Sequence, residues 1–238
     1  MLPVAFRAGP VDVYTYPLVL IAALAASWLV VRAFAPRLLV PRWAAADLVA
    51  AAALGALIGG RAWHVASFPA AYSAGWWRLF ELQNGGLVFY GAVLGGAVTV
   101  AAVARVERLS LPAVADLAAL ALPLGSAIGR WGCLAAGCCG GPGLYVGDVR
   151  VPPQVIDSAG EIVLFGVLIA LARRLTLGRG ALFAWWLALY PVLRFGIEYL
   201  RADPRVAFGL TQAQLVSIPV AVIGFAAVFA GMREGGGR

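Results

Sequence analysis

Apolar residues run through the chain in long blocks, broken at intervals by arginine, glycine and proline. A helix needs about 20 mostly apolar residues to cross ~30 Å of hydrocarbon. Blocks of that kind fall at 14–33, 45–66, 86–104, 112–129, 156–172, 181–200 and 211–231, which predicts an all-α polytopic membrane protein with about seven spans. No internal repeat or low-complexity linker divides them, so residues 1–238 read as a single integral membrane domain.

Composition points the same way. Hydrophobic residues make up 63% of the chain and charged residues 12%, with a mean hydropathy of +0.90. Soluble domains carry about 25% charged residues, so most soluble enzymes, disordered proteins and nucleic-acid binders are excluded. The net charge of +7 rests on 18 arginines and no lysine. These punctuate apolar runs and form no basic face, so anionic lipid is the expected partner and nucleic acid is not.

The arginines also predict orientation. Ten of them (Arg32, Arg37, Arg42, Arg105, Arg108, Arg173, Arg174, Arg179, Arg233 and Arg238) mark alternate connections and the C-terminus. Those connections should be cytoplasmic, which places the N-terminus outside. The first apolar run reads as an uncleaved span, because only Arg7 precedes it and no clear small-residue cleavage site follows. Stretches 67–85, 130–155 and 201–210 then face outward. The middle one, from Trp131 to Val155, is rich in Gly, Cys and Pro and cannot be helical throughout. Its backbone must be satisfied by protein or water, which makes this short external segment the expected seat of a site.

Gly55, Gly59 and Gly60 on the second span, and Gly91, Gly95 and Gly96 on the third, have the spacing that lets helix backbones approach closely. Charges within spans demand another explanation, since one at a span centre costs about 2.5–3.5 kcal/mol on insertion scales. Arg194, Glu198 and Arg201 fall at i, i+4 and i+7, on one helix face. They read as an internal ion-pair ladder or as an anion site, because one glutamate leaves a net positive charge that suits a phosphodiester. Arg130, beside Trp131, reads as an interfacial anchor; Gly129 and Gly132 on either side would let a ligand reach the backbone. Arg61 and the lone His64 have interfacial readings, and Tyr90 suits an aromatic belt. Cys133, Cys138 and Cys139 lack the usual four-ligand zinc set and the C-x-x-C redox spacing. A disulfide, inert buried thiols and reactive thiols stay open.

Four segments occur in an order that resembles a known family. They are Asn84-Gly-Gly-Leu-Val-Phe-Tyr-Gly91, Gly129-Arg-Trp-Gly-Cys133, Leu193-Arg-Phe-Gly-Ile-Glu-Tyr-Leu-Arg201 and Leu210-Thr-Gln-Ala-Gln-Leu-Val-Ser-Ile-Pro219. Together they resemble the prolipoprotein diacylglyceryl transferases of bacteria, from about Tyr16 to Pro219. The resemblance implies seven spans in the cytoplasmic membrane and a site towards the outer leaflet. It implies transfer of diacylglycerol from phosphatidylglycerol to the lipobox cysteine of a prolipoprotein signal peptide, with glycerol phosphate released. No metal or organic cofactor is implied. Arg130 and Arg194 match the family's essential arginines, and Glu198 and Arg201 their charged companions. Tyr16, Gly141, Gln154, Gln214 and Ser217 match further motif positions. Arg61, Gly85, Gly86, Gly129, Gly132, Cys133 and Cys138 join them as expected substrate-binding residues.

The chain departs from the pattern inside the site. Tyr90 stands where the family has a histidine assigned as base, Cys133 where it has asparagine, and Cys138 where it has glutamate; the stretch between Arg130 and Gln154 is shorter than typical. The arginine clamp survives, and stabilising charge on a leaving phosphate is often the largest catalytic contribution. A thiol of pKa ~8.5 is already a few per cent ionised at neutral pH. Tyr90 is thus the expected catalytic partner of Arg130, Arg194 and Glu198, with His64 as a substitute base. The alternatives are a different acceptor, including a covalent Cys138 intermediate, a lipid-binding protein without turnover, and a thiol oxidoreductase.

Overall fold

The computed structural model describes residues 4–8, 11–73, 75–81, 86–174 and 180–235. Gly85, with Asn84, Arg179 and Arg238, lies outside them. Among the described residues, seven helices are long and apolar enough to cross a membrane: α1 (Thr15–Phe34), α2 (Ala44–Ser67), α3 (Phe89–Val106), α4 (Leu111–Ala136), α5 (Pro153–Arg174), α6 (Ala181–Ile197) and α7 (Gln212–Gly235). Three two-stranded antiparallel hairpins, absent from the sequence expectation, are added: β1 (Val4–Ala8) with β2 (Val11–Tyr14), β3 (Leu144–Val146) with β4 (Val149–Val151), and β5 (Arg205–Ala207) with β6 (Leu210–Thr211). The last turns through Phe208 and Gly209, at φ +52° and +72°. Two successive positive φ values are what a tight two-residue hairpin turn demands.

The chain forms two compact units, Ala35–Val114 and a second made of Met1–Phe34 with Ala115–Arg238. In the first, α2 packs on α3 through glycine. A Cβ on Gly59 would fall 2.8 Å from Gly95 Cα, and Thr99 Oγ1 donates across the seam to Ala51 O at 2.7 Å. The spacing of Gly55, Gly59, Gly91 and Gly95 therefore serves close helix contact.

In the second unit α1 lies against α4, where Tyr16 covers Gly132 and Ser27 donates to Ala121 O at 3.4 Å. α7 rests on α6 at Gly224, where any Cβ would strike the backbone of Ala188. Asp116 of α4, 1% exposed, accepts from the amides of Gly180 (2.7 Å) and Phe183 (2.9 Å). A carboxylate from another helix thus meets the orphan donors and positive dipole end of α6.

Two boundaries differ from expectation in ways that matter. α4 continues to Ala136, so Arg130, Trp131 and Cys133 are helical and the irregular segment starts at Gly137. No strong breaker intervenes before Gly137, which adopts φ +74°. Its N–H reaches Leu134 O (3.2 Å) while Cys138 N–H reaches Cys133 O (3.1 Å). That pair of bonds is a Schellman cap, which favours glycine at its left-handed position. α6 ends at Ile197, and Glu198–Leu200 form one 3-10 turn, so the charged triplet spans a helix end.

Candidate active site

Polar residues on α5 recur at Gln154, Asp157, Ser158 and Glu161, the i, i+3, i+4, i+7 spacing of one helix face. All four are buried, Glu161 completely. Their side chains bond to α4 or to the turn beyond it. Asp157 Oδ2 lies 2.7 Å from Arg130 Nε, an ion pair without hydrogen-bond alignment. Ser126 Oγ donates to Glu161 Oε1 at 2.9 Å. Trp131 Nε1 donates to Ser158 Oγ (3.1 Å), which donates in turn to Ala127 O (2.9 Å). Gln154 Nε2 donates to Cys138 O at 2.7 Å. Arg130 is therefore a half-buried cation paired with a buried carboxylate of α5.

A second network closes α6. Arg194 Nη2 meets Glu198 Oε2 at 2.7 Å and Asp203 Oδ2 at 3.9 Å. Arg201 Nε meets Asp203 Oδ2 at 2.9 Å and Glu198 Oε2 at 3.6 Å. Two carboxylates face two guanidiniums, so the net positive charge expected of the triplet is cancelled by Asp203. Burial works against both charges of the Arg201–Asp203 pair; their mutual hydrogen bond prevails, raising the arginine's pKa and lowering that of Asp203. Among the described residues, the buried Arg194 Nη1 has no hydrogen-bond partner. Glu161 and Tyr190 feel the charges of both Arg130 and Arg194, so the two networks share one electrostatic environment.

Backbone contacts lock the irregular segments together. Gly143 N–H donates to Leu200 O (3.2 Å) and Ala202 N–H to Gly140 O (3.3 Å). A Cβ on Gly141 would overlap Leu200 O and the Arg201 backbone, which accounts for a glycine there. Arg150 donates to Pro142 O at 2.9 Å and to Gly141 O. A cleft of about 400 Å³ opens here, bordered by Trp131, Gly137, Gly140, Arg150 and Gln154. Gly129 has open space around it, whereas Gly132 is covered by Tyr16.

Cys133, Cys138 and Cys139 are free thiols whose Sγ atoms lie within 4.8 Å of one another. The Cys133 thiol holds Cys139 down to about 5 by hydrogen bonding, against burial and with help from Arg201. Burial pushes Cys138 up.

Gln214 and Thr211 form a capping box at the start of α7. Gln214 N–H donates to Thr211 Oγ1 (3.3 Å), and Thr211 N–H to Gln214 Oε1 (3.1 Å). Gln214 Nε2 also reaches Phe195 O at 3.3 Å, tying α7 to α6.

Arg61, Gly86 and Tyr90 belong to the other unit. Arg61 binds the carbonyls of Leu79 (2.9 Å), Gly86 (3.2 Å), Glu81 (3.4 Å) and Arg78, and its guanidinium lies over Tyr72. Gly86, at φ +83°, leaves room for Arg61 and His64. His64 Nδ1 pairs with Tyr72 Oη at 2.7 Å. Tyr90 sits in the first turn of α3 with its ring edge-on to Phe89. Arg61 and His64 thus organise the α2–α3 connection.

Sequence reasoning passed over Asp157, Glu161 and Asp203. Two acids four residues apart in an otherwise apolar span are costly enough in lipid to have signalled a buried partner.

Comparison with known proteins identifies the family. Residues 3–230 match the family described as prolipoprotein diacylglyceryl transferase. A phosphatidylglycerol–prolipoprotein diacylglyceryl transferase of Lysinibacillus sphaericus is 31% identical, across 95% of this chain and 90% of that protein. Proteins of the same name from Bacillus cytotoxicus and Geobacillus kaustophilus are 33% and 34% identical, each across 92% of this chain and 88% of their own length. The chain belongs to the prolipoprotein diacylglyceryl transferase family.

Proposed function

We propose that this protein transfers the diacylglyceryl group of phosphatidylglycerol to the lipobox cysteine thiol of a prolipoprotein signal peptide. The thiol loses its proton, its sulfur bonds to the glyceryl carbon, and the carbon–oxygen bond to phosphate breaks. Glycerol phosphate leaves. The observation that carries this reading is the pair of half-buried guanidiniums, Arg130 on Asp157 and Arg194 on Glu198, with the buried Arg194 Nη1 left without a hydrogen-bond partner among the described residues. A buried donor without a partner is costly, and a lipid phosphate oxygen would satisfy it.

In this reading Arg130 and Arg194 hold the phosphate and stabilise charge as it develops on the leaving group. Glu198 and Asp157 fix their geometry, and Arg201 is held through Asp203. Gln154 and Gly141 keep the turn after α4 in place, and Gln214 keeps α7 in register with α6. Tyr16, Gly129, Gly132, Cys133 and Cys138 border the substrates, and Tyr90 takes the position of the family's histidine. Gly86 supports the entry to α3, and Gly85 is a further substrate-binding position by its match to the family motif. The protein resides in the bacterial cytoplasmic membrane, N-terminus outside, with the site towards the outer leaflet.

The test mixes purified protein, phosphatidylglycerol and a lipobox peptide, and follows glycerol phosphate release and peptide mass. Release together with a diacylglyceryl mass gain on the peptide supports the proposal. Release without peptide modification transfers the assignment to another acceptor, and lipid binding without release to a protein that lacks turnover. Full activity after Arg130→Ala or Arg194→Ala would refute the clamp.

A further inference from the structure

The Schellman cap that ends α4 has a consequence for the thiols. In this motif the side chains three residues before the cap's glycine-side turn and just after it meet, normally as an apolar contact. Here those residues are Cys133 and Cys138, joined through the 3.1 Å bond from Cys138 N–H to Cys133 O. Cys139 follows in the left-handed region at φ +57° and brings its sulfur back to the other two.

We infer that Cys133, Cys138 and Cys139 form a three-thiolate seat for one soft cation of the zinc or copper(I) class. Metal–sulfur bonds of about 2.3 Å set sulfurs on the order of 4 Å apart around one ion. The three Sγ atoms, all within 4.8 Å of one another, need to move by less than an ångström to reach that geometry. Thiolates select soft ions, so calcium and magnesium are excluded as occupants. Cys138 is exposed, which gives an ion an entry path.

The surroundings suit such a group. Three thiolates around a divalent ion carry one net negative charge. Arg201, whose Nη1 donates to Cys139 O at 3.4 Å, and Arg130, which acts electrostatically on Cys133, offset it. Gln154 grips Cys138 O through Nε2, and its buried Oε1 has no hydrogen-bond partner among the described residues. That oxygen would accept a hydrogen bond from water in the ion's open fourth position. Partners of this kind, one step removed from the metal, orient the ligands of protein metal sites.

The test titrates cadmium ion into the full-length protein in detergent, with a phosphine reductant and no competing thiol. Thiolate-to-cadmium absorption in the ultraviolet and native mass spectrometry report occupancy, independently of lipid transfer. One cadmium per chain in wild type, with both signals lost in the Cys133→Ser/Cys138→Ser/Cys139→Ser variant, supports the seat. Loss of the signals in Cys139→Ser alone, with its melting temperature unchanged, supports three-thiol ligation. The inference is overturned if wild type takes up no cadmium, or if the triple variant binds as much as wild type. A disulfide among the three thiols that persists under the phosphine would also overturn it and assign the cluster to redox chemistry.

Discussion

Arg130 Nε lies 2.7 Å from the buried Asp157 Oδ2, and this largely enclosed pair joins α4 to α5. Removing one partner of a buried pair strands the other charge and costs about 3–5 kcal/mol. Asp157→Ala should therefore lower the melting temperature sharply. Arg130→Met combined with Asp157→Leu should recover most of that loss and stay inactive. Thermal unfolding in detergent, read beside glycerol phosphate release, separates the two effects.

Arg194 differs in having one donor, Nη1, left over. If that donor meets the leaving phosphate, Arg194→Lys should lower turnover by about 10²–10³-fold, because an ammonium cannot hold Glu198 and the phosphate in the planar geometry of a guanidinium. Single-turnover rates at saturating lipid provide the check. Undiminished rates would remove Arg194 from the clamp.

Tyr90 is the sharpest departure from the family pattern. General-base assistance is worth about 10²–10⁴-fold, and a tyrosine provides little of it at neutral pH. Tyr90→His should raise the transfer rate by about 10²-fold at pH 7–8. The gain should fade as pH falls through ~6.5, where imidazole protonates. A flat pH–rate profile in the variant would show that position 90 carries no base.

The capping box at α7 makes a structural prediction. Thr211→Ala should cost about 1 kcal/mol of stability, while Thr211→Ser should be nearly neutral because the hydroxyl is retained. Gln214→Ala should cost more than Thr211→Ala, since it also breaks the 3.3 Å bond to Phe195 O. Melting curves of the three variants rank them.

Asp203 gives a pH dependence. Its pKa is lowered because the hydrogen bond with Arg201 outweighs burial. A depressed carboxylate contributes stability that is present above its unfolded pKa of about 4 and lost as pH falls through the lower folded value. The melting temperature should decline as pH drops below about 4, and Asp203→Asn should be less stable at neutral pH with a smaller acid decline. Equal slopes in the two proteins would contradict the pairing.

The spans were legible because lipid imposes a strong rule: about 20 apolar residues per crossing, with the backbone satisfied internally. The paired glycines of α2 and α3 were legible for a related reason, as a repeated absence of side chain has few other uses in a membrane helix. Arg130 and Arg194 stood out because a cation in an apolar run needs an explanation. The i+4 partner of Arg194, Glu198, was legible from helix spacing, but Asp157 and Asp203 were not, since they meet Arg130 and Arg194 only through the packing of α5 and the turn beyond α6. The surroundings of Arg61 were hidden for the same cause. A guanidinium near a span end is compatible with a lipid headgroup, and only the folded connection reveals the carbonyls of Leu79, Gly86 and Glu81 around it.

The cysteines show the division most clearly. Their number and closeness along the chain ruled out a disulfide framework, because local spacing is written in the sequence. Their meeting in space depends on Gly137 and Cys139 taking left-handed backbone angles and on Gln154 and Arg201 gripping the carbonyls of Cys138 and Cys139. Local pattern follows from helix periodicity and hydrophobicity, so it can be read residue by residue. Which charges neutralise each other, and which sulfurs touch, is settled only when distant segments pack and each buried polar atom finds the partner that packing brings within reach.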